Sequence, residues 1–189
     1  MIAVGYCRVV EWDSYALSHF PFTRREMLSR ITHAGRLNES ITVTMLLLRM
    51  LESAAWCDRP VEYDLRGYVP AVTLPDWPLG EHGKPFPEGL LQDGERLFVS
   101  LTHGGGLAAV ALCSAPVGID IQAAEDFPAA VAARYGWNAT DAPRIWAAGE
   151  AAIKLRGGTI ADMGRIDLDG IALRSCDIGG CCLAVATHT

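Results

Sequence analysis

Residues 96–121 read Arg96-Leu-Phe-Val-Ser-Leu-Thr-His-Gly-Gly-Gly-Leu-Ala-Ala-Val-Ala-Leu-Cys-Ser-Ala-Pro-Val-Gly-Ile-Asp-Ile121. Apolar residues fall in three short runs, 96–100, 107–113 and 117–121, parted by Gly104-Gly-Gly106 and by Ala115-Pro116, so three strands are expected in succession. Upstream, residues 2–10 read as another strand, ending before the turn-prone Trp12-Asp13-Ser14. Pro21-Phe-Thr23 opens a helix, with Thr23 as N-cap, Glu26 completing a capping box and Gly35 closing it. The spacing of Ile41, Met45, Leu48 and Leu51 predicts a second helix from Asn38 to Trp56. Pro60, Pro70, Pro75, Pro78, Pro85 and Pro87 make residues 60–95 an irregular connection with at most short strands. Downstream, helices are expected at 127–135 and 142–155, then strands at 165–173 and 182–186 around a Gly179-Gly180 turn. The expected class is α+β. Two halves, residues 1–95 and 96–189, each carry helices and a few strands and pack as one compact pair, although no sequence repeat is visible.

The 189 residues are half apolar and only 20% charged, which is ample material for a buried core and argues against global disorder. A net charge of −6 argues against a general nucleic-acid binder, which must neutralise phosphates, and against a polybasic membrane-surface protein. The charge is uneven. Residues 22–50 hold five arginines against Glu26 and Glu39, a net of +3 that leaves −9 on the rest. A local basic face on an acidic body is enough to steer an anionic partner, because surface fields are screened within about 8–10 Å. The start of the chain lacks a basic, long-apolar leader pattern, and apolar runs such as Met45 to Leu48 are too short to cross a bilayer. The six scattered cysteines include no Cys-x-x-Cys pair, so the expectation is buried reduced thiols in a cytoplasmic protein.

Several short signatures fail on inspection. His103-Gly-Gly-Gly106 resembles a lipase oxyanion loop, but no Gly-x-Ser-x-Gly elbow accompanies it. Gly83-Lys84 lacks the upstream glycine of a P-loop and runs into Pro85, which has no amide to offer a phosphate. Three segments in fixed order remain: Gly83-Lys84-Pro85; Ser100-Leu-Thr-His103 running into Gly118-Ile-Asp120; and Trp146-Ala-Ala-Gly-Glu150-Ala-Ala-Ile-Lys154. Asp120 ends an apolar strand, where a carboxylate is costly unless paired or metal-bound, though a turn or cap role is the plainer alternative. Glu150 and Lys154 share one helical face, a spacing that in isolation is more often a solvated ion pair. An Asp and a Glu around a hard cation, with His and Lys nearby, suit a pyrophosphate held on magnesium.

In order and spacing these segments resemble the 4′-phosphopantetheinyl transferases, in particular the surfactin-type branch with two similar halves in one chain. The resemblance is clear from Gly83 to Gly158, including Lys154-Leu-Arg-Gly-Gly158, and weaker over the Arg36-to-Leu51 helix. It implies halves related by a pseudo-twofold axis and a chain that works as a monomer. It also implies a reaction: the 4′-phosphopantetheine arm of coenzyme A moves to a serine of an acyl or peptidyl carrier protein, releasing 3′,5′-ADP. By the same resemblance Asp120 and Glu150 bind Mg²⁺ with Gln122 beside them, and Glu150 deprotonates the carrier serine, directly or through a metal-bound water. His103 and Lys154 grip phosphate oxygens, and Lys84 and Thr102 hold the nucleotide end; on composition more than on motif, Arg24, Arg25, Arg30 or Arg36 is expected to meet the 3′-phosphate.

Two departures stand out. Gly149 occupies the place of the family's lysine before the helix glutamate, deleting a cation, and Gln122 replaces the second carboxylate of Asp-x-Glu, which lowers the charge offered to a metal. Ala152 also replaces an aromatic usual inside the helix. Two expectations follow: an active transferase, or a degenerate relative that binds coenzyme A or a carrier protein without efficient transfer.

Overall fold

A computed structural model of the chain describes residues 1–53, 59–80, 83–86, 88–92, 94–125 and 127–189. In chain order the strands are β1 (Ile2–Arg8), β2 (Val61–Glu62), β3 (Leu90–Gln92), β4 (Glu95–Gly104), β5 (Leu107–Cys113), β6 (Val117–Ala123), β7 (Ile171–Ile178) and β8 (Cys181–His188). The helices are α1 (Phe22–Ser29), α2 (Ala34–Ser53), α3 (Ala129–Tyr135) and α4 (Ala142–Arg156), with short 3-10 turns at Ala16–His19 and Ile160–Asp162. The class is α+β. None of the helices described is long and apolar enough to cross a membrane.

Two sheets form, a five-stranded one in the order β2-β1-β5-β4-β3 and a three-stranded one in the order β6-β8-β7. The expected division at residue 95 falls inside the larger sheet, where β4 and β5 join β1; the chain passes between sheets across residues 114–116. Strand β5 is buried along its whole length because both its faces are covered. Ala108, Val110 and Leu112 pack with Leu97 and Val99 of β4 against Leu47 and Leu48 of α2. Ala109 and Ala111 turn the other way, into a core with Ile119, Ile121 and Leu183 of the smaller sheet. Beyond that sheet, Ala147, Ala151 and Leu155 of α4 lie on Ala184 and Ala186 of β8, where small residues let helix and strand approach closely. The layers are therefore α2, larger sheet, smaller sheet, α4.

Three local expectations need correction. Helix α1 is preceded by Pro21 in an extended conformation, and Thr23 does not cap it. The Thr23 hydroxyl instead donates to Asp76 Oδ1 and accepts from the Trp77 amide, pinning α1 to the proline-rich connection. Gly35 does not close α1, which ends at Ser29; it sits in the first turn of α2. The strand expected at 165–173 runs from 171 to 178, because Asp167 accepts from the Asp169 amide in a turn and Gly170 has a left-handed φ of 72°. The expected extension of α2 to Trp56, and Cys57, lie outside the described residues. Cys7, Cys113, Cys176, Cys181 and Cys182 are free thiols, all buried except half-buried Cys176.

Candidate active site

Strand alternation decides which side chains of β6 meet α4. Val117, Ile119 and Ile121 turn into the core between the sheets, so Gly118, Asp120 and Gln122 face the helix. Gly118 is what lets the helix approach: a Cβ there would strike the backbone of α4 at Ala151 and Leu155. Glu150 and Lys154, one turn apart, share the helical face opposite.

Asp120 is only 2% exposed and accepts hydrogen bonds from Thr102, Gln122 and Lys154. Lys154 Nζ donates to Asp120 Oδ1 at 2.7 Å and to the Ile119 carbonyl at 3.0 Å. The Thr102 hydroxyl donates to the same Oδ1 at 2.9 Å. Gln122 Nε2 donates to Asp120 Oδ2 at 2.8 Å and to Glu150 Oε2 at 3.2 Å, so one amide bridges both carboxylates. Burial, and then the charge of Asp120, push the Glu150 carboxyl up to about 7, with Lys154 and Trp146 pulling the other way. A carboxyl in that range can accept or release a proton near neutral pH.

The end of β4 serves two directions at once. Thr102 faces β6 and Asp120, while His103, the next residue, faces α2, where its Nδ1 lies 3.2 Å from Glu39 Oε2. Burial holds the imidazole below its ordinary range; Glu39 opposes this, and Lys154 and Arg24 reinforce it. Arg24, on α1, is buried and held down to about 10 by desolvation, so it remains a cation at neutral pH. Its Nε donates to Thr44 Oγ1 at 3.2 Å and its Nη2 to the Ser40 carbonyl at 2.9 Å, and the guanidinium lies 4.6 Å from the Trp77 ring centroid. Among the described residues no carboxylate pairs with it.

These groups line one cleft of about 380 Å³ in which Arg24, His103, Asp120, Gln122, Glu150 and Lys154 converge. Thr102 lines it too. Lys84 stands apart: its Nζ donates to the Lys154 carbonyl at 2.7 Å and approaches the Val117 carbonyl at 3.5 Å, so it clamps the proline-rich connection to α4 and β6. Its neighbours Gly83 and Pro85, not its ammonium, line the cleft. Arg36 is exposed in the first turn of α2, outside the lining, and so is Arg25 on α1; Arg30 pairs with Glu26 at 2.7 Å.

The residues that sequence reasoning did not place are Trp77, Met163 and the partner of His103. Trp77 lies among prolines, where no periodicity marks it. Met163 is buried against α4, and a Cβ on Gly149 would come within 2.5 Å of its Sδ and 3.4 Å of Ile166 Cδ1. The position before Glu150 is thus already filled by a side chain from the 159–166 segment. Glu39 precedes Ser40 in a stretch whose resemblance was weak, and its role needs the fold to be seen. Neither a protein-family model nor a curated protein sequence matches the chain.

Proposed function

We propose that this chain transfers the 4′-phosphopantetheine arm of coenzyme A to a serine hydroxyl of an acyl or peptidyl carrier protein. The observation that carries the reading is the meeting of three cations or potential cations, Arg24, His103 and Lys154, with the Asp120–Glu150 carboxylate pair in one cleft. A second observation supports the two-half architecture. The orders β1-β5-β4 and β6-β8-β7 repeat one design, a first strand followed by a helix and then a hairpin whose second strand pairs with the first. That repetition supports a pseudo-twofold relation between the halves.

The donor set fits a divalent cation: one buried and one half-buried carboxylate, Asp120 and Glu150, and an amide whose oxygen can turn inward are the ligands a hard ion takes. Asp120, Glu150 and Gln122 would hold Mg²⁺, which supplies neutralisation of charge on the pyrophosphate. Lys154 and His103 bind phosphate oxygens, and Arg24 takes the remaining phosphate, its planar fork anchored by Thr44 and Trp77. Glu150 accepts the proton of the carrier serine as Oγ attacks the phosphorus next to the pantetheine arm. The bond from that phosphorus to the bridging oxygen breaks, and its electron pair leaves on 3′,5′-ADP.

One observation favours a second reading, binding without efficient transfer. Met163 packs where a longer side chain at position 149 would begin, so no second helix cation stands beside Glu150. Release of 3′,5′-ADP separates the two. The transfer reading requires release that depends on an apo carrier protein; tight coenzyme A binding with no release supports the second.

A further inference from the structure

His103 lies on the face of β4 that carries Leu97, Val99 and Leu101 toward α2, and Glu39 meets it there with an Nδ1 to Oε2 separation of 3.2 Å. The two side chains are 34% and 27% exposed, so the pair is shielded without being sealed. Among the described residues neither has another ion-pair partner. A ring nitrogen facing a carboxylate at this distance carries hydrogen, so Nδ1–H donates to Glu39. The other nitrogen, Nε2, is then the atom left for the cleft.

The charged groups around this ring are Glu39 on α2, Lys154 on α4, Arg24 on α1 and Asp120 on β6. Arg24 and Lys154 oppose a third cation, and Asp120 already receives Lys154, Thr102 and Gln122. Among the described residues Glu39 is therefore the carboxylate in hydrogen-bond reach that can hold His103 as a donor toward an incoming anion.

We propose that Glu39 is a positioning residue: it fixes the His103 ring with Nδ1–H on its own carboxylate, so that Nε2 faces the cleft and, taking a proton from solvent as an anion enters, donates to a phosphate oxygen. The choice of coenzyme A as ligand rests on the transferase reading. Affinities for coenzyme A and 3′,5′-ADP are measured by calorimetry for the wild type, Glu39→Gln, Glu39→Asp, His103→Asn and the Glu39→Gln/His103→Asn double variant. Nitrogen-15 spectra of the His103 ring are recorded alongside, with circular dichroism as the folding control.

The loss of a charge-assisted hydrogen bond should weaken binding roughly tenfold in each of Glu39→Gln and His103→Asn. The double variant should be no weaker than His103→Asn alone, and Glu39→Asp should recover part of the loss. Wild-type Nδ1 should be protonated in the free protein, and both nitrogens with 3′,5′-ADP bound. Additive losses, or an unprotonated Nδ1 in the wild type, would overturn the proposal. Coupled losses in a protein that transfers nothing to any carrier would overturn the transferase reading alone. A wild type that binds neither nucleotide overturns both.

Discussion

The Thr102 hydroxyl donates to Asp120 Oδ1 at 2.9 Å, and this bond ties β4 of the larger sheet to β6 of the smaller one at the buried end of the cleft. Thr102→Val keeps the shape and removes the donor. It should cost about 1–3 kcal/mol of stability in urea denaturation, because a buried carboxylate oxygen loses a partner. Thr102→Ser should restore most of that. Equal stability of the valine variant would mean that Lys154 alone satisfies Asp120 Oδ1.

Glu150 gives the protein a definite pH signature. Its folded carboxyl is pushed from 4.5 up to about 7, so between those values the native state holds a proton that the unfolded chain releases. The stability it confers is complete below 4.5 and fades as pH rises through about 7. Glu150→Gln should flatten the stability profile over that window, and the variant should gain on the wild type above it. Thermal denaturation across the range, in a metal chelator, checks this. Parallel wild-type and variant profiles would contradict it.

Met163 predicts what happens when the missing helix cation is restored. A Cβ at position 149 meets Met163 Sδ at 2.5 Å, yet replacing glycine within a helix gains up to about 1 kcal/mol of propensity. Gly149→Ala should therefore stabilise a Met163→Ala background more than it stabilises the wild type. Gly149→Lys should need the same relief before it raises the transfer rate. Melting temperatures of the four alanine combinations read this coupling directly, and strictly additive shifts would show that Met163 yields without cost.

Lys84 separates two roles. If its ammonium clamps the carbonyls of Lys154 and Val117, Lys84→Met should lower stability by about 1 kcal/mol, the worth of an ordinary hydrogen bond. Unchanged stability with a large loss of coenzyme A affinity would return Lys84 to the nucleotide.

Much of the site was legible because short-range periodicity places it. Alternation along Val117 to Gln122 puts Asp120 and Gln122 on one face, and four-residue spacing does the same for Glu150 and Lys154. What could not be read depends on partners distant in sequence. Thr23 has the chemistry of a cap, but Asp76 and the Trp77 amide claim its hydroxyl. Arg24 stood as one arginine among several on the basic stretch; only the packing of Trp77 and Thr44 around it singles it out. Gly149 reads as a lost lysine until Met163 is seen packed beside it. The apolar pattern at 165–173 does not become a strand until residue 171, because Asp167 and Gly170 form a turn, and the polar Ser175 and Asp177 continue the strand on an exposed edge.

The central claim is group transfer at the Asp120–Glu150 cleft. It is tested most directly by intact-mass measurement of a panel of apo acyl and peptidyl carrier proteins after incubation with the protein, coenzyme A and Mg²⁺. At least one carrier should gain the mass of one phosphopantetheine on its serine, and Asp120→Ala should abolish the gain. No gain on any carrier, despite coenzyme A binding, would contradict the account, as would a gain that survives Asp120→Ala.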